Sequence, residues 1–130
     1  MFLGEYEYAI DDKGRITLPV KFREYLRPGV VVTRGFERCL LVFPMPAWSE
    51  LTQRLDSLDL TDPQVRRLRR LTFSLAYFTD VDRQGRILIP QSLRAYADLK
   101  DVGVVVGLNR YLEVWNPQRW REERSTFEAE

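Results

Sequence analysis

The chain contains the same short motif twice, at a constant separation of 71 residues. The first copy reads DDKGRITLP over residues 11–19, and the second reads DRQGRILIP over residues 82–90. Residues 11–26 and 82–97 are identical at seven of sixteen positions, which are Asp11/Asp82, Gly14/Gly85, Arg15/Arg86, Ile16/Ile87, Pro19/Pro90, Arg23/Arg94 and Tyr25/Tyr96. A duplication of this kind predicts two similar halves packed about a pseudo-twofold axis. Each side chain of one loop should then have a counterpart in the other.

The length of the chain indicates that the two halves fold together. The chain has 130 residues, and a half of about 60 residues is only marginally stable alone. Hydrophobic residues make up 45% and charged residues 30% of the chain. This balance is typical of a folded globular protein rather than a disordered one.

The residue types that are missing exclude most kinds of catalytic site. Histidine is absent, which excludes imidazole bases, Ser/His and Cys/His pairs and histidine-containing zinc sites. Cys39 is the single cysteine, so no intramolecular disulfide forms, and its apolar surroundings CLLVF predict a buried, unreactive thiol.

Carboxylate chemistry, with or without bound Mg²⁺, remains as a route to catalysis. The candidates are the aspartates at Asp11, Asp12, Asp80 and Asp82. Aspartates spaced this closely beside a turn glycine more often cap the turn. We therefore expect no enzyme activity, no metal site and no cofactor.

No segment of the sequence predicts membrane insertion or secretion. No apolar run approaches the roughly 20 residues that span a bilayer. The N-terminal segment MFLGEYEYA lacks the basic stretch of a secretory signal. We expect a cytoplasmic protein without a membrane partner.

Each half has the pattern of strand, turn, strand, short helix and two further strands. In the first half, residues 5–10 alternate as a half-buried strand, DDKG supplies a turn, residues 15–18 form a short strand, and Pro19 opens a short helix. The segments VVVT and CLLVF then predict two strands around a turn at GFER. The second half repeats this order in AYFTDV, RQG, RILI, VVVGL and YLEVW.

Longer helices are predicted between and after the repeats. One follows the first repeat, with apolar residues at spacings of three or four in Trp48, Leu51, Leu55 and Leu58, and residues 117–127 hold a matching helix with Trp120. Asp62 and Pro63 predict the start of another helix. Its apolar side, which we expect to pack inside the protein, consists of Val65, Leu68, Leu71 and Leu75.

These elements divide the chain into four parts. We expect a first repeat at residues 5–47, a helical connection at 48–75, a second repeat at 76–119 and a C-terminal helix at 120–130.

Basic side chains are concentrated in one part of a nearly neutral chain. The net charge is +1, yet residues 62–94 contain seven arginines against three aspartates. A local basic face of this kind is compatible with a phosphate-binding surface. The polar side of the predicted linking helix carries Arg66, Arg67, Arg69 and Arg70. Three interpretations remain open for it: a solvated or salt-bridged face, a contact with the DNA backbone, or a membrane-surface helix.

Two residues of each motif are explained by a turn alone. An aspartate accepts hydrogen bonds from the N–H groups of its own turn, and a glycine adopts positive φ at no steric cost. We expect Asp11 and Gly14 to shape the first loop, and Asp82 and Gly85 to shape the second.

The arginine that follows each glycine is not needed by the turn. A guanidinium on a rigid hairpin presents donors that suit phosphate oxygens or the O6/N7 edge of guanine. Arg15 and Arg86 are therefore candidate DNA-binding residues, with Lys13 and Arg83 beside them. A structural alternative is that Arg15 and Arg86 pair with the loop aspartates across the pseudo-twofold axis.

The doubled DxxGR motif, with an apolar strand and a proline after each copy in a chain of 130 residues, closely resembles the MraZ family of bacterial transcriptional regulators. That family is associated with the division and cell-wall gene cluster, and the resemblance extends over residues 6–120. Each half is similar to the AbrB-like DNA-binding unit. The resemblance implies an α+β, β-rich fold of two swapped-hairpin, double-split β-α-β repeats about a pseudo-twofold axis, with connecting and C-terminal helices.

The same resemblance implies a function and partners. It implies a ring-like homo-oligomer that binds short direct repeats in double-stranded promoter DNA and regulates transcription of the cluster at the nucleoid, with repression the favoured direction. It also implies that Arg15 and Arg86 contact the DNA. The two loops differ, because Gln84 stands where the first loop has Lys13.

The expected salt dependence of DNA binding favours several copies of the chain on one DNA. If four basic loop residues each neutralise one phosphate, the salt slope is about −3.6, and affinity falls about 10²-fold between about 50 and 200 mM salt. Several protomers on one rigid ring recover that affinity through effective concentration. The alternative from another class is a protein-interaction module, antitoxin-like or a scaffold, whose loops engage a protein partner.

Overall fold

The computed structural model describes residues 1–128, which form a strand-rich α+β protein. The strands in this range are β1 Phe2–Ala9, β2 Arg15–Thr17, β3 Val30–Arg34, β4 Leu40–Pro44, β5 Tyr77–Thr79, β6 Arg86–Leu88, β7 Val102–Asn109 and β8 Leu112–Trp115. The helices are α1 Val20–Leu26, α2 Met45–Asp56, α3 Pro63–Ser74, α4 Gln91–Tyr96 and α5 Pro117–Glu128. The predicted order of elements within each half is confirmed. Residues 129 and 130 of the expected C-terminal helix lie outside the described residues.

The strands form two antiparallel sheets that join the halves. One sheet has six strands in the order β1-β7-β8-β4-β3-β5, and β2 and β6 form the other. The first strand of each half pairs with the opposite half, so that Tyr6 lies opposite Val105 and Tyr77 opposite Val32. Tyr6 and Tyr77 are equivalent positions of the repeat, so the exchange is reciprocal, although β1 pairs over eight residues and β5 over three. Neither half completes its sheet alone, which explains why the two share one core.

The residue pairing in the short β2–β6 sheet shows the pseudo-twofold symmetry of the two halves. Ile16 lies directly opposite Ile87, and these are equivalent positions of the repeat. A local pseudo-twofold axis therefore passes between them. Both side chains are fully buried. The hydrogen bonds beyond the ladder follow the same symmetry, with Leu18 N donating to Gly85 O at 2.8 Å and Ile89 N to Gly14 O at 2.9 Å.

The main core lies between the two sheets and the short helices α1 and α4. It takes side chains from β1 to β4, from β6 to β8 and from both short helices. Val105 belongs to this core, whereas Val104 and Val106 belong to a second cluster with Cys39, Trp115 and Trp120. This division follows from the alternation of side chains along a strand. Helix α5 supplies Trp120 and so covers the opposite face of the sheet.

Cys39 is buried, as the sequence predicts. Its thiol is fully enclosed and donates to Phe36 O at 3.0 Å. Burial raises the pKa of the thiol, with the nearby Glu113 adding to the shift. The thiol is therefore protonated and unreactive at neutral pH.

The linking segment contains the two predicted helices, but the prediction that the apolar side of α3 packs inside the protein is wrong. Asp62 caps α3 by accepting a hydrogen bond from Gln64 N at 2.9 Å. No residue of α3 is buried, and Leu68 and Leu71 are 42% and 60% exposed. Leu58, expected within α2, follows its end and is also exposed. Helical periodicity identifies an apolar side but does not identify what covers it.

Part of the arginine-rich side of α3 holds the two linking helices together. Arg69 Nη1 lies 2.8 Å from Asp56 Oδ1 at the end of α2. Arg66 Nη1 donates to Leu60 O and Thr61 O in the connecting turn. Among the described helices, none is both long and apolar enough to cross a membrane.

Removing the side chains at the pseudo-twofold axis should destabilise both halves together. We expect Ile16→Ala and Ile87→Ala each to lower the free energy of unfolding by about 2–4 kcal/mol, because each leaves a cavity in the shared core. Urea titrations followed by far-UV circular dichroism should show one transition in both variants. The control Val20→Ala, at a side chain that is 73% exposed, should change stability by less than about 0.5 kcal/mol. Separate transitions for the two halves would contradict a shared core.

Candidate nucleic-acid interface

The two DxxGR loops lie side by side at the pseudo-twofold axis. Each loop ends where β2 or β6 begins, and the two strands pair with each other. The loops also approach through side chains, since Arg86 Nη1 lies 3.6 Å from Asp11 Oδ2. One small surface therefore presents both copies of the motif.

The aspartate of each motif closes its own turn. Asp11 Oδ1 accepts hydrogen bonds from Lys13 N at 3.0 Å and from Arg15 N at 2.8 Å. In the second loop, Asp82 Oδ1 accepts from Gln84 N at 2.9 Å and from Arg86 N at 2.8 Å. The two turns are thus built alike from equivalent atoms.

The glycine of each motif serves the turn and also makes room for the opposite half. Gly14 has φ +86° and Gly85 has φ +77°, values that side-chain-bearing residues rarely adopt. A Cβ at Gly14 would lie 2.6 Å from Arg94 Nε, and one at Gly85 would collide with the guanidinium of Arg23. Each loop therefore needs glycine partly because an arginine of the other half lies against it.

The arginine of each motif is held by the aspartate of the same loop. Arg15 Nε donates to Asp11 Oδ2 at 2.7 Å, and Arg86 Nε donates to Asp82 Oδ2 at 2.9 Å. The structural alternative raised from the sequence, pairing across the axis, occurs only in the longer contact between Arg86 and Asp11. The pairing is chiefly within each loop because Nε lies next to the carboxylate four residues earlier.

This pairing leaves part of each guanidinium available. The side chains of Arg15 and Arg86 are 31% and 25% exposed. Within residues 1–128, the Nη atoms of Arg15 donate no hydrogen bond. A carboxylate on Nε fixes the plane of the guanidinium, and the Nη edge can then donate to a pair of acceptors.

Both loop carboxylates stay ionised at neutral pH. The hydrogen bond from Arg15 N contributes most to lowering the pKa of Asp11. Burial acts to raise the pKa of Asp82, but hydrogen bonds from Arg86 and from Gln84 N outweigh it, so this pKa is also lowered. The ion pairs that orient the two arginines therefore persist throughout the physiological pH range.

Lys13 and Arg83 lie exposed at the tips of the loops. They are not equivalent positions, because Lys13 aligns with Gln84 and Arg83 with Asp12. Within residues 1–128, neither cation has a carboxylate within 4.0 Å. Over the same residues, no group of three or more histidine, cysteine or acidic side chains lies together as a candidate metal site.

Arg23 and Arg94 belong to the surface but were not among the predicted site residues. Arg23 Nε donates to Leu18 O at 3.0 Å, and Arg94 Nε donates to Ile89 O at 2.9 Å. Each guanidinium lies against the glycine of the opposite loop. The sequence feature that could have identified them is that arginine occurs at this position in both copies of the repeat. The helical periodicity of apolar residues does not assign them a role.

Comparison with known proteins gives a single family. The family model described as "MraZ protein, putative antitoxin-like" matches residues 1–71 and again residues 72–130. Each of the two matches contains one copy of the motif.

Several relatives carry the name "Transcriptional regulator MraZ". One from Roseiflexus castenholzii is 52% identical over 129 residues, which cover 99% of this chain and 90% of the relative. One from Deinococcus radiodurans is 45% identical over 130 residues, which cover 100% of this chain and 92% of the relative. One from Moorella thermoacetica is 48% identical over 122 residues, which cover 94% of this chain and 85% of the relative.

Neutralising a loop aspartate should release its arginine. In the wild type, we expect the Arg86 Nε–Hε proton to exchange with water more slowly than that of a free arginine side chain at the same pH, as measured by NMR. Because the pKa of Asp82 is lowered, this protection relative to free arginine should persist down to the ordinary aspartate pKa of about 3.9 and be lost only as the pH falls below it. Asp82→Asn should reduce the protection at every pH above that value.

The control for this measurement is Asp80→Asn. Asp80 is an exposed neighbour whose carboxylate accepts no hydrogen bond within the described chain. It should leave the Arg86 proton protected. Equal exchange rates in the wild type and in Asp82→Asn would mean that the carboxylate does not hold the guanidinium in solution.

Proposed function

The chain belongs to the MraZ family, and on that premise we propose that it is a non-enzymatic, DNA-binding transcriptional regulator. The observation that supports this most is the pair of DxxGR loops side by side, each with an arginine fixed by its own aspartate. A donor fork that is oriented before binding loses less entropy when it meets its acceptors.

The proposed reading mechanism uses the exposed part of each loop. Arg15 and Arg86 would enter the major groove and donate through their Nη edges to guanine O6 and N7, the commonest specific arginine contact. Lys13 and Arg83, exposed at the loop tips, would bind backbone phosphates and position the loops. Phosphate contacts fix the register on the duplex, whereas the base contacts give the specificity.

We further propose that each half is an AbrB-like swapped-hairpin unit. The reciprocal exchange of β1 and β5 between the halves supports this assignment. The corresponding division places the DNA-binding repeats at residues 5–47 and 76–119, the helical connection at 48–75 and the C-terminal helix at 120–130.

The proposed target is a set of short direct repeats in the promoter of the division and cell-wall gene cluster. A protein bound there would cover the promoter and repress transcription, acting in the cytoplasm at the nucleoid. Family membership supports this target, and weak binding by a single protomer favours repeated sites.

A ring-like homo-oligomer is the proposed active form. The apolar side chains Leu58, Leu60, Leu68 and Leu71 of the linking segment are all exposed by more than 40%. Large apolar side chains that are left exposed within one short segment are a candidate interaction surface. The same surface also suits the alternative, an antitoxin-like module or scaffold that binds a different protein.

Replacing both loop arginines by lysine should separate the contribution of positive charge to DNA binding from that of the planar guanidinium. Arg15→Lys with Arg86→Lys keeps the positive charge but removes the planar donor fork. We expect affinity for the upstream promoter DNA to fall by at least about 30-fold in gel-shift titrations, since each bidentate contact discriminates by about 1–3 kcal/mol. Affinity for random-sequence DNA should change by less than about 3-fold, because charge dominates nonspecific binding.

The matched control is Arg124→Lys. Arg124 is also an ion-paired, partly exposed arginine, 2.7 Å from Glu5 Oε1 and distant in sequence from both loops. It should bind the promoter like the wild type. A folded double variant with unchanged promoter binding would refute the role of the loops.

Charge on the apolar side of α3 should disrupt the oligomer. We expect Leu68→Glu with Leu71→Glu to convert the assembly to smaller species in sedimentation velocity, while far-UV circular dichroism stays unchanged because both side chains are already exposed. Val20→Glu, the same kind of change at an exposed site on α1, should leave the assembly intact. A monomeric wild type that co-purifies with a different protein would favour the alternative function.

A further inference from the structure

A basic groove lies beside the second loop. It has a volume of about 450 Å³ and is lined by Arg23, Arg27, Val81, Asp82, Arg83 and Gly85. Two of the arginines come from the first half, on α1 and at its end, and the third comes from the loop of the second half. The pairing of β2 with β6, extended by the hydrogen bond from Leu18 N to Gly85 O, sets the second loop beside α1 and so brings these three cations together.

The positive charge of this groove is not neutralised within the described chain. The one carboxylate in the lining, Asp82, already binds Arg86 Nε and two N–H groups of its own turn. Over residues 1–128, no carboxylate lies within 4.0 Å of Arg23, Arg27 or Arg83. Three cations around an open space attract an anion strongly, and a phosphate matches the donors of arginine.

One of the three arginines is held in place before any ligand binds. Arg23 Nε donates to Leu18 O at 3.0 Å, and its guanidinium lies against Gly85. Arg27 and Arg83 are exposed. The groove therefore combines one cation that is held in place with two that are exposed to solvent.

The positions that align with this groove beside the first loop are mainly acidic instead of basic. Arg94 takes the position of Arg23, but Asp98 aligns with Arg27 and Asp12 aligns with Arg83. Two of the three cations are thus replaced by acids. The pseudo-twofold symmetry holds for the two DxxGR loops and fails for the charges around them.

We propose that the groove of Arg23, Arg27 and Arg83 binds a backbone phosphate of DNA next to the base pair contacted by Arg86, and that the aligned place beside the first loop repels one. This inference rests on the proposed function and deepens it. A pseudosymmetric pair of loops could otherwise bind a site in either orientation. One phosphate-binding groove per chain gives each protomer a single direction on the duplex, which suits direct repeats rather than inverted ones.

The test measures the salt dependence of binding by Arg27→Ala and Arg83→Ala on two duplexes, the upstream promoter DNA and a random sequence. Each variant should bind both duplexes about 5- to 10-fold more weakly, and the slope of log affinity against log salt should fall by about 0.9 for each bound chain. Both side chains are exposed, so folding should be unaffected. Arg27→Gln and Arg83→Gln repeat the measurement with a longer polar side chain.

The matched control is Lys100→Ala. Lys100 is an exposed cation that follows α4 in the second half and does not line the groove. It should retain both the affinity and the slope of the wild type. If Arg27→Ala and Arg83→Ala behave like this control while Arg15→Lys with Arg86→Lys still loses promoter binding, the groove is refuted and the proposed function stands. Weakening on the promoter duplex alone would refute phosphate binding in favour of base reading. Absence of DNA binding by the wild type would refute both.

Discussion

The pairing of Ile16 with Ile87 is the contact on which the rest of the structure depends. It joins two equivalent residues at the centre of a three-residue ladder, and both are fully buried. Because side chains alternate along a strand, the residues on either side of this pair face away from the core. Arg15 and Arg86 are two of those residues, so the burial of the isoleucines places both arginines on one outer surface.

The contacts around that pair are repeated in both halves and couple the two loops to each other. The aspartate fixes its own arginine, and the glycine admits an arginine of the opposite half, as Gly85 does for Arg23. No loop is therefore shaped by its own half alone. A change at either glycine would disturb the turn in which it lies and also an arginine of the other half that is distant in the chain. This dependence explains why both motifs carry the same residue types.

The sequence predicts local features of this fold and misses those that depend on distant partners. The turns, the proline-initiated helices and the Asp62 cap were predictable because each depends on a few adjacent residues. The exchange of β1 and β5 was not, since an alternating pattern does not say which strand lies beside it. The exposure of Leu68 and the packing of Arg23 over Gly85 were missed for the same reason. The in-loop bond from Arg15 to Asp11 is local, whereas the structural alternative predicted from the sequence was pairing across the axis.

Recognition of promoter DNA by the paired arginines of the two loops is the proposal on which the assigned function depends. A hydroxyl-radical footprint of the DNA immediately upstream of the gene tests it most directly, with the wild type and a variant carrying Arg15→Ala and Arg86→Ala compared at equal concentration. We expect short protected segments at regular spacing with the wild type, and their loss with the variant while its circular dichroism stays native. Protection that is the same for both proteins, or no protection by the wild type, would contradict it.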